Sequence, residues 1–120
     1  MRNKTIFQSF QRAFEGFAYL WQSHKHFKFE FVAASAVVVL GLIFGLSKLR
    51  WFVLIFTIIL GLVIEIFNTC VEEVCNLITK DYNNKVKIIK DMSGAAVLIF
   101  VLYSIIVAAV IFAPSFGINY

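Results

Sequence analysis

The chain has 120 residues, of which 61% are hydrophobic, 17% aromatic and only 15% charged. Soluble domains carry about a quarter charged residues, so a soluble globular class is excluded and a membrane protein is expected. The net charge of +4 calls for no nucleic acid, because its placement along the chain accounts for it better.

The opening residues, MRNKTIFQSFQRAFEGF, scatter charges and amides through their apolar positions and hold no continuous apolar core. They do not read as a signal peptide, and the N-terminus is expected to stay on the chain. Residues 4–22 predict an amphipathic helix. Ile6, Phe7, Phe10, Phe14, Phe17 and Trp21 recur at three- and four-residue steps, with Gln8, Gln11, Arg12, Glu15 and Gln22 filling the other side. Such a helix is too polar to span and suits the membrane interface.

Three apolar spans follow, at about 29–47, 51–76 and 91–113. The stretch SKLR (47–50) reads as a tight polar turn, TKDYNNKVKIIK (79–90) as a charged connector, and Pro114 as the stop of the last span. Cys70 and Cys75 are five apart in one helix and point to different faces, so neither a disulfide nor a metal pair is expected. Nine of the basic residues lie before the first span or in the second connector; Lys48 and Arg50 lie on the opposite side. The positive-inside rule places the nine in the cytoplasm, where ATP and magnesium are available. The expected architecture is one all-α membrane domain, a surface helix plus three transmembrane helices, completed by oligomerisation.

The second span carries groups that lipid rejects. At 100° per residue Glu65 and Glu72 fall within about 20° of each other, with Asn76 continuing the line and Asn68 and Thr69 beside it. Hydrogen bonding between helices would explain Asn68 and Thr69. Two carboxylates on one face need a cation, a proton or a basic partner as well. Proton abstraction by one and divalent-metal binding by the other suits the pattern, since magnesium takes one or two carboxylates beside substrate phosphates. Lys90 and Asp91 open the third span, followed by the small residues Ser93, Gly94, Ala95 and Ala96. Taken alone they read as a snorkelling lysine and a helix-start acid. A third cluster, SHKHFKFE (23–30), sets His24, Lys25, His26 and Lys28 before Glu30 at the mouth of the first span.

Glu65, Asn68, Thr69 and Glu72 as E-x-x-N-T-x-x-E, then DYN (81–83), then KD-x-x-x-AAV (90–97), together resemble the bacterial integral-membrane diacylglycerol kinase family, which includes the undecaprenol kinases. The resemblance runs from about Phe7 to Pro114. It implies a homotrimer in the bacterial inner membrane, with active sites at the cytoplasmic interface that pass the γ-phosphoryl group of Mg-ATP to a lipid hydroxyl. By position it implies Glu65 as general base, Asn68 as a polar member of the site and Glu72 as magnesium ligand. Asp81 and Asn83 match the connector that meets the nucleotide, and Lys90 and Asp91 the residues near its phosphates. Glu30 matches a family carboxylate. His24 stands where the family usually has a second metal-binding glutamate, and Asn76 where it often has aspartate; both departures bear on the metal site. No G-x-x-x-x-G-K stretch occurs, which excludes a P-loop. The substrate is expected to be undecaprenol or diacylglycerol. Two other functions stay open: a proton-coupled small transporter, and a catalytically impaired scaffold of the same fold. Against the first, residues 51–64 hold only Thr57 as a polar group, so no polar path crosses.

Overall fold

Four helices make up the described part of the computed structural model, residues 5–113: α1 (Ile6–Ser23), α2 (Lys25–Phe44), α3 (Lys48–Ile78) and α4 (Asn84–Phe112). No strand occurs among the described residues. Helices α2, α3 and α4 are long and apolar enough to cross a membrane. The protein is therefore an all-helical membrane protein. Arg2, Lys4 and Pro114 lie outside the described residues. The chain divides into two compact units between Ser35 and Ala36.

In the first unit α1 begins with a capping box. The Thr5 hydroxyl accepts from the Gln8 amide at 3.1 Å, and the Gln8 side chain accepts from the Thr5 amide at 3.2 Å. Two orphan donors of the first turn are thereby satisfied. The aromatic stripe then splits by position. Phe17 meets Phe27 edge-on at 5.4 Å, and Trp21 meets Phe31 in the same geometry at 5.4 Å, so the end of α1 packs on the start of α2. Ile6, Phe7, Phe10 and Phe14 stay exposed. His24 alone separates the two helices, its backbone N–H donating to the Leu20 carbonyl. Helix α2 starts at Lys25, ahead of the apolar run, because Lys25, His26 and Lys28 can ride on the outside of a first turn while Phe27 is fully buried.

In the second unit Gly45 takes a left-handed φ of 68°, which reverses the chain after α2. Ser47 then caps α3 by accepting from the Arg50 amide at 3.4 Å. This corrects the reading of 47–50 as a turn: the reversal lies one step earlier, and Lys48–Arg50 form the first turn of α3. The charged connector is shortened in the same way. Asn83 accepts from the Val86 amide at 3.1 Å and starts α4 at Asn84, so residues 84–90 are helical. At 31 residues, α3 is about 46 Å long, well beyond the roughly 30 Å of a hydrocarbon core.

Helices α3 and α4 pack antiparallel in one register. Arg50 donates to the Ile111 carbonyl at 3.0 Å, Leu54 packs with Val107, Gly61 lies under the Phe100 ring, and Asn68 meets Ser93. From Leu54 onward each pair lies seven residues further along α3 and seven back along α4. The next step places buried Cys75 at the level of buried Val86. This seven-residue spacing is the period at which two helices stay in contact over many turns. Leu54, Val107 and Ile111 form the core, with Trp51, Ile58 and Phe112 packed on it. Cys70 and Cys75 are both free, the first exposed and the second buried.

A side chain at position 61 would collide with the next helix, since an added Cβ comes within 2.5 Å of the Phe100 ring. Gly61→Leu is expected to cost about 1–3 kcal/mol. Combining it with Phe100→Ala should restore part of that loss, and unfolding in graded detergent mixtures measures both.

Candidate active site

The polar face of α3 changes in exposure along its length. Glu65 is buried at 6% exposure and Thr69 at 2%, Asn68, Glu72 and Glu73 are half-buried, and Asn76 is exposed. Glu65 lies about 21 Å along the helix axis from Trp51, and Glu72 about 31 Å. A hydrocarbon core of about 30 Å beginning at Trp51 would therefore still enclose Glu65 and release Glu72 into the headgroups. Glycine at 61 and threonines at 57 and 69 keep this face narrow, which lets α4 approach closely beside the acid.

Two contacts tie the stripe to α4. The Ser93 hydroxyl donates to the Asn68 side-chain carbonyl at 2.7 Å, which leaves the Asn68 amide hydrogens for another acceptor. The Lys90 ammonium donates to the Asn76 carbonyl at 3.2 Å. Asp91 faces elsewhere, paired with Lys87 at 2.6 Å one helical turn before it. Lys90 and Asp91 are sequence neighbours with different partners, so they do not form one unit.

The remaining sequence candidates lie on the connector and in the first unit. Asp81 is exposed, and its backbone N–H donates to the Thr79 hydroxyl at 3.0 Å. Asn83 is the cap of α4, a structural role. In the first unit Glu30 is half-buried, and His24 closes α1 with its ring edge-on to Tyr19 and to His26. The Lys28 ammonium lies 5.8 Å from the centre of the Trp21 ring.

The donor set limits which metal the chain could hold. No group of three histidine, cysteine or acidic side chains converges among the described residues. The described residues of one chain therefore form no all-protein cage. A magnesium ion that arrives with its own phosphate oxygens needs only one or two carboxylates, and half-buried Glu72 at the interface level fits that demand.

Sequence reasoning treated Ser93 only as a small residue, and Asn76 as the end of the polar line and a departure from a carboxylate. Both prove to be contacts across the helix pair. Their signal was the shared register of α3 and α4, which becomes visible only once the helices are placed.

A buried acid at membrane depth, followed by amide and carboxylate groups that lead to a lysine at the surface, defines the class: an all-helical membrane enzyme. The comparisons with known proteins agree. The model of the prokaryotic diacylglycerol kinase family matches residues 11–112. An undecaprenol kinase of Bacillus subtilis is 34% identical over 110 residues, spanning 91% of this chain and 89% of its own. A diacylglycerol kinase of Escherichia coli K12 is 28% identical over 105 residues, spanning 88% and 86%. One of Synechocystis is 28% identical over 107 residues, spanning 88% and 61%. The chain belongs to the prokaryotic diacylglycerol kinase family and is a lipid kinase.

The Ser93–Asn68 bond should be measurable as a coupling. Ser93→Ala is expected to cost about 1 kcal/mol of stability. A double-mutant cycle with Asn68→Ala should return an interaction of about 0.5–3 kcal/mol; additive losses would show that the two side chains do not act together.

Proposed function

We propose that the chain transfers the γ-phosphoryl group of ATP to the hydroxyl of a membrane lipid alcohol, undecaprenol or diacylglycerol, at the cytoplasmic face of the bacterial inner membrane. The observation that carries this reading is the exposure gradient from buried Glu65 to exposed Lys90. It is the geometry required of a site whose acceptor stays in lipid and whose donor stays in water.

In this reading the alcohol lies beside Glu65, which accepts its proton as the oxygen–phosphorus bond forms. The bond from the γ-phosphorus to the bridging oxygen breaks, and ADP leaves. Asn68, held by Ser93, turns its amide donors toward the reacting groups. Glu72 would hold magnesium, which neutralises charge on the phosphates when bound. Lys90 offers its ammonium to the phosphates, with Asp81 and Asn83 on the connector beside the nucleotide. Positioning and electrostatics supply most of the catalysis in phosphoryl transfer. Metal roles for Glu30 and His24 belong to the same proposal, and the half-burial of both side chains is compatible with it.

The exposed aromatic end of α1 suits a helix lying in the membrane interface. The basic residues of the connector support a cytoplasmic site, by the positive-inside rule. A homotrimer with shared sites suits the half-open position of Glu72 and the exposed one of Lys90. The 34% identity to an undecaprenol kinase, against 28% to the diacylglycerol kinases, favours undecaprenol as the better acceptor.

Purified protein in mixed micelles with ATP and a panel of lipid alcohols tests the reading, and undecaprenol should be phosphorylated fastest. Glu65→Gln should lower kcat by about a hundredfold or more while the protein stays folded. Glu72→Gln should move the magnesium dependence to higher concentration; superimposed curves would remove Glu72 from the metal site.

A further inference from the structure

Thr69 has the most enclosed side chain of the stripe, at 2% exposure, and its Oγ1 atom has no hydrogen-bond partner among the described residues. The hydroxyl of a helical threonine usually solves this by itself, bonding back to the carbonyl one turn earlier. Thr57, another buried threonine of α3, does so with the Val53 carbonyl at 2.8 Å. Ser35 does so with the Phe31 carbonyl at 3.0 Å. Thr69 does not. A buried hydroxyl without a bond lowers stability, and valine would fill the same space without that cost. The orphaned oxygen therefore points to a guest that brings a hydrogen-bonding group.

Its neighbourhood narrows the guest. Thr69 follows Glu65 by one helical turn on one face, a separation of about 5–6 Å between Cβ atoms. Asn68 beside it is already fixed by Ser93. A small polar atom placed between Glu65 and Thr69 would meet a carboxylate that accepts a proton and a hydroxyl that donates one.

We propose that Thr69 is a substrate-contacting residue whose hydroxyl donates to the oxygen of the acceptor alcohol. This rests on the reading of Glu65 as the base. The alcohol's O–H bond breaks toward Glu65, one lone pair of the oxygen attacks phosphorus, and the other receives the Thr69 hydrogen bond. No bond to Thr69 forms or breaks. The hydrogen bond aims the lone pair and steadies the negative charge that develops on the oxygen, so it is strongest in the transition state.

The test compares wild type, Thr69→Val, Thr69→Ser and Glu65→Gln in mixed micelles, with undecaprenol and with dioleoylglycerol in separate assays, alongside thermal unfolding. Thr69→Val should lower kcat/KM for the lipid about tenfold or more, by loss of a donor to the developing charge. Its KM for ATP should stay within about twofold of wild type, as for an interaction confined to the acceptor. Its melting temperature should equal or exceed that of wild type, and Thr69→Ser should recover most of the activity. Wild-type lipid kinetics in Thr69→Val beside an inactive Glu65→Gln would overturn the Thr69 assignment alone. A lower melting temperature in Thr69→Val with no recovery in Thr69→Ser would make Thr69 a packing residue and overturn the proposal. Glu65→Gln at wild-type rate would overturn the base assignment, and this proposal with it.

Discussion

The antiparallel register of α3 on α4 is the constraint on which the rest depends. It joins an arginine to a helix-end carbonyl, a leucine to a valine, a glycine to a phenylalanine ring and an asparagine to a serine, in that order along α3. Displacing α4 by one residue would turn each of these partners by about 100° and separate them all at once. The apolar levels hold the pair together by packing, since lipid gives no hydrophobic advantage to one apolar contact over another. The polar levels are placed by that packing and do little to create it. Asn68 thus has a fixed orientation because Leu54 and Gly61 are matched several turns away.

The same pair explains how one helix can be both a membrane span and part of an enzyme. Beyond its charged first turn, residues 51–64 are apolar apart from Thr57, whose hydroxyl is satisfied within the helix. Its second half carries the acids and amides, and the excess length of α3 carries them out toward water. An enzyme with a lipid-soluble acceptor and a water-soluble donor needs both environments within a few ångströms. Under the proposed reading a single overlong helix supplies both.

Much of this was legible in the sequence, because membrane spans declare themselves by composition and a stripe by its period. The three spans, the aromatic face of α1 and the alignment of Glu65 with Glu72 follow from counting at 3.6 residues per turn. Helix starts were less legible. Ser47 and Asn83 are capping residues, yet charges after each favoured a loop reading, and only the bonds to Arg50 and Val86 decide the matter. Contacts between helices were not legible, since Ser93 and Asn76 gain their partners from the register. The orphaned Thr69 hydroxyl could not be read either, because Thr57 is another buried threonine of the same helix and behaves in the opposite way.

Two of the three lysines near the start of α4, Lys87 and Lys90, differ in a way that matters for electrostatics. Lys87 is cancelled by Asp91 at 2.6 Å, whereas Lys90 is held by the uncharged Asn76. An amide can steer an ammonium group without neutralising it. The membrane-proximal turn of α4 accordingly keeps one undiminished positive charge at a defined place. The field there attracts anions from solution and weakens as ionic strength rises.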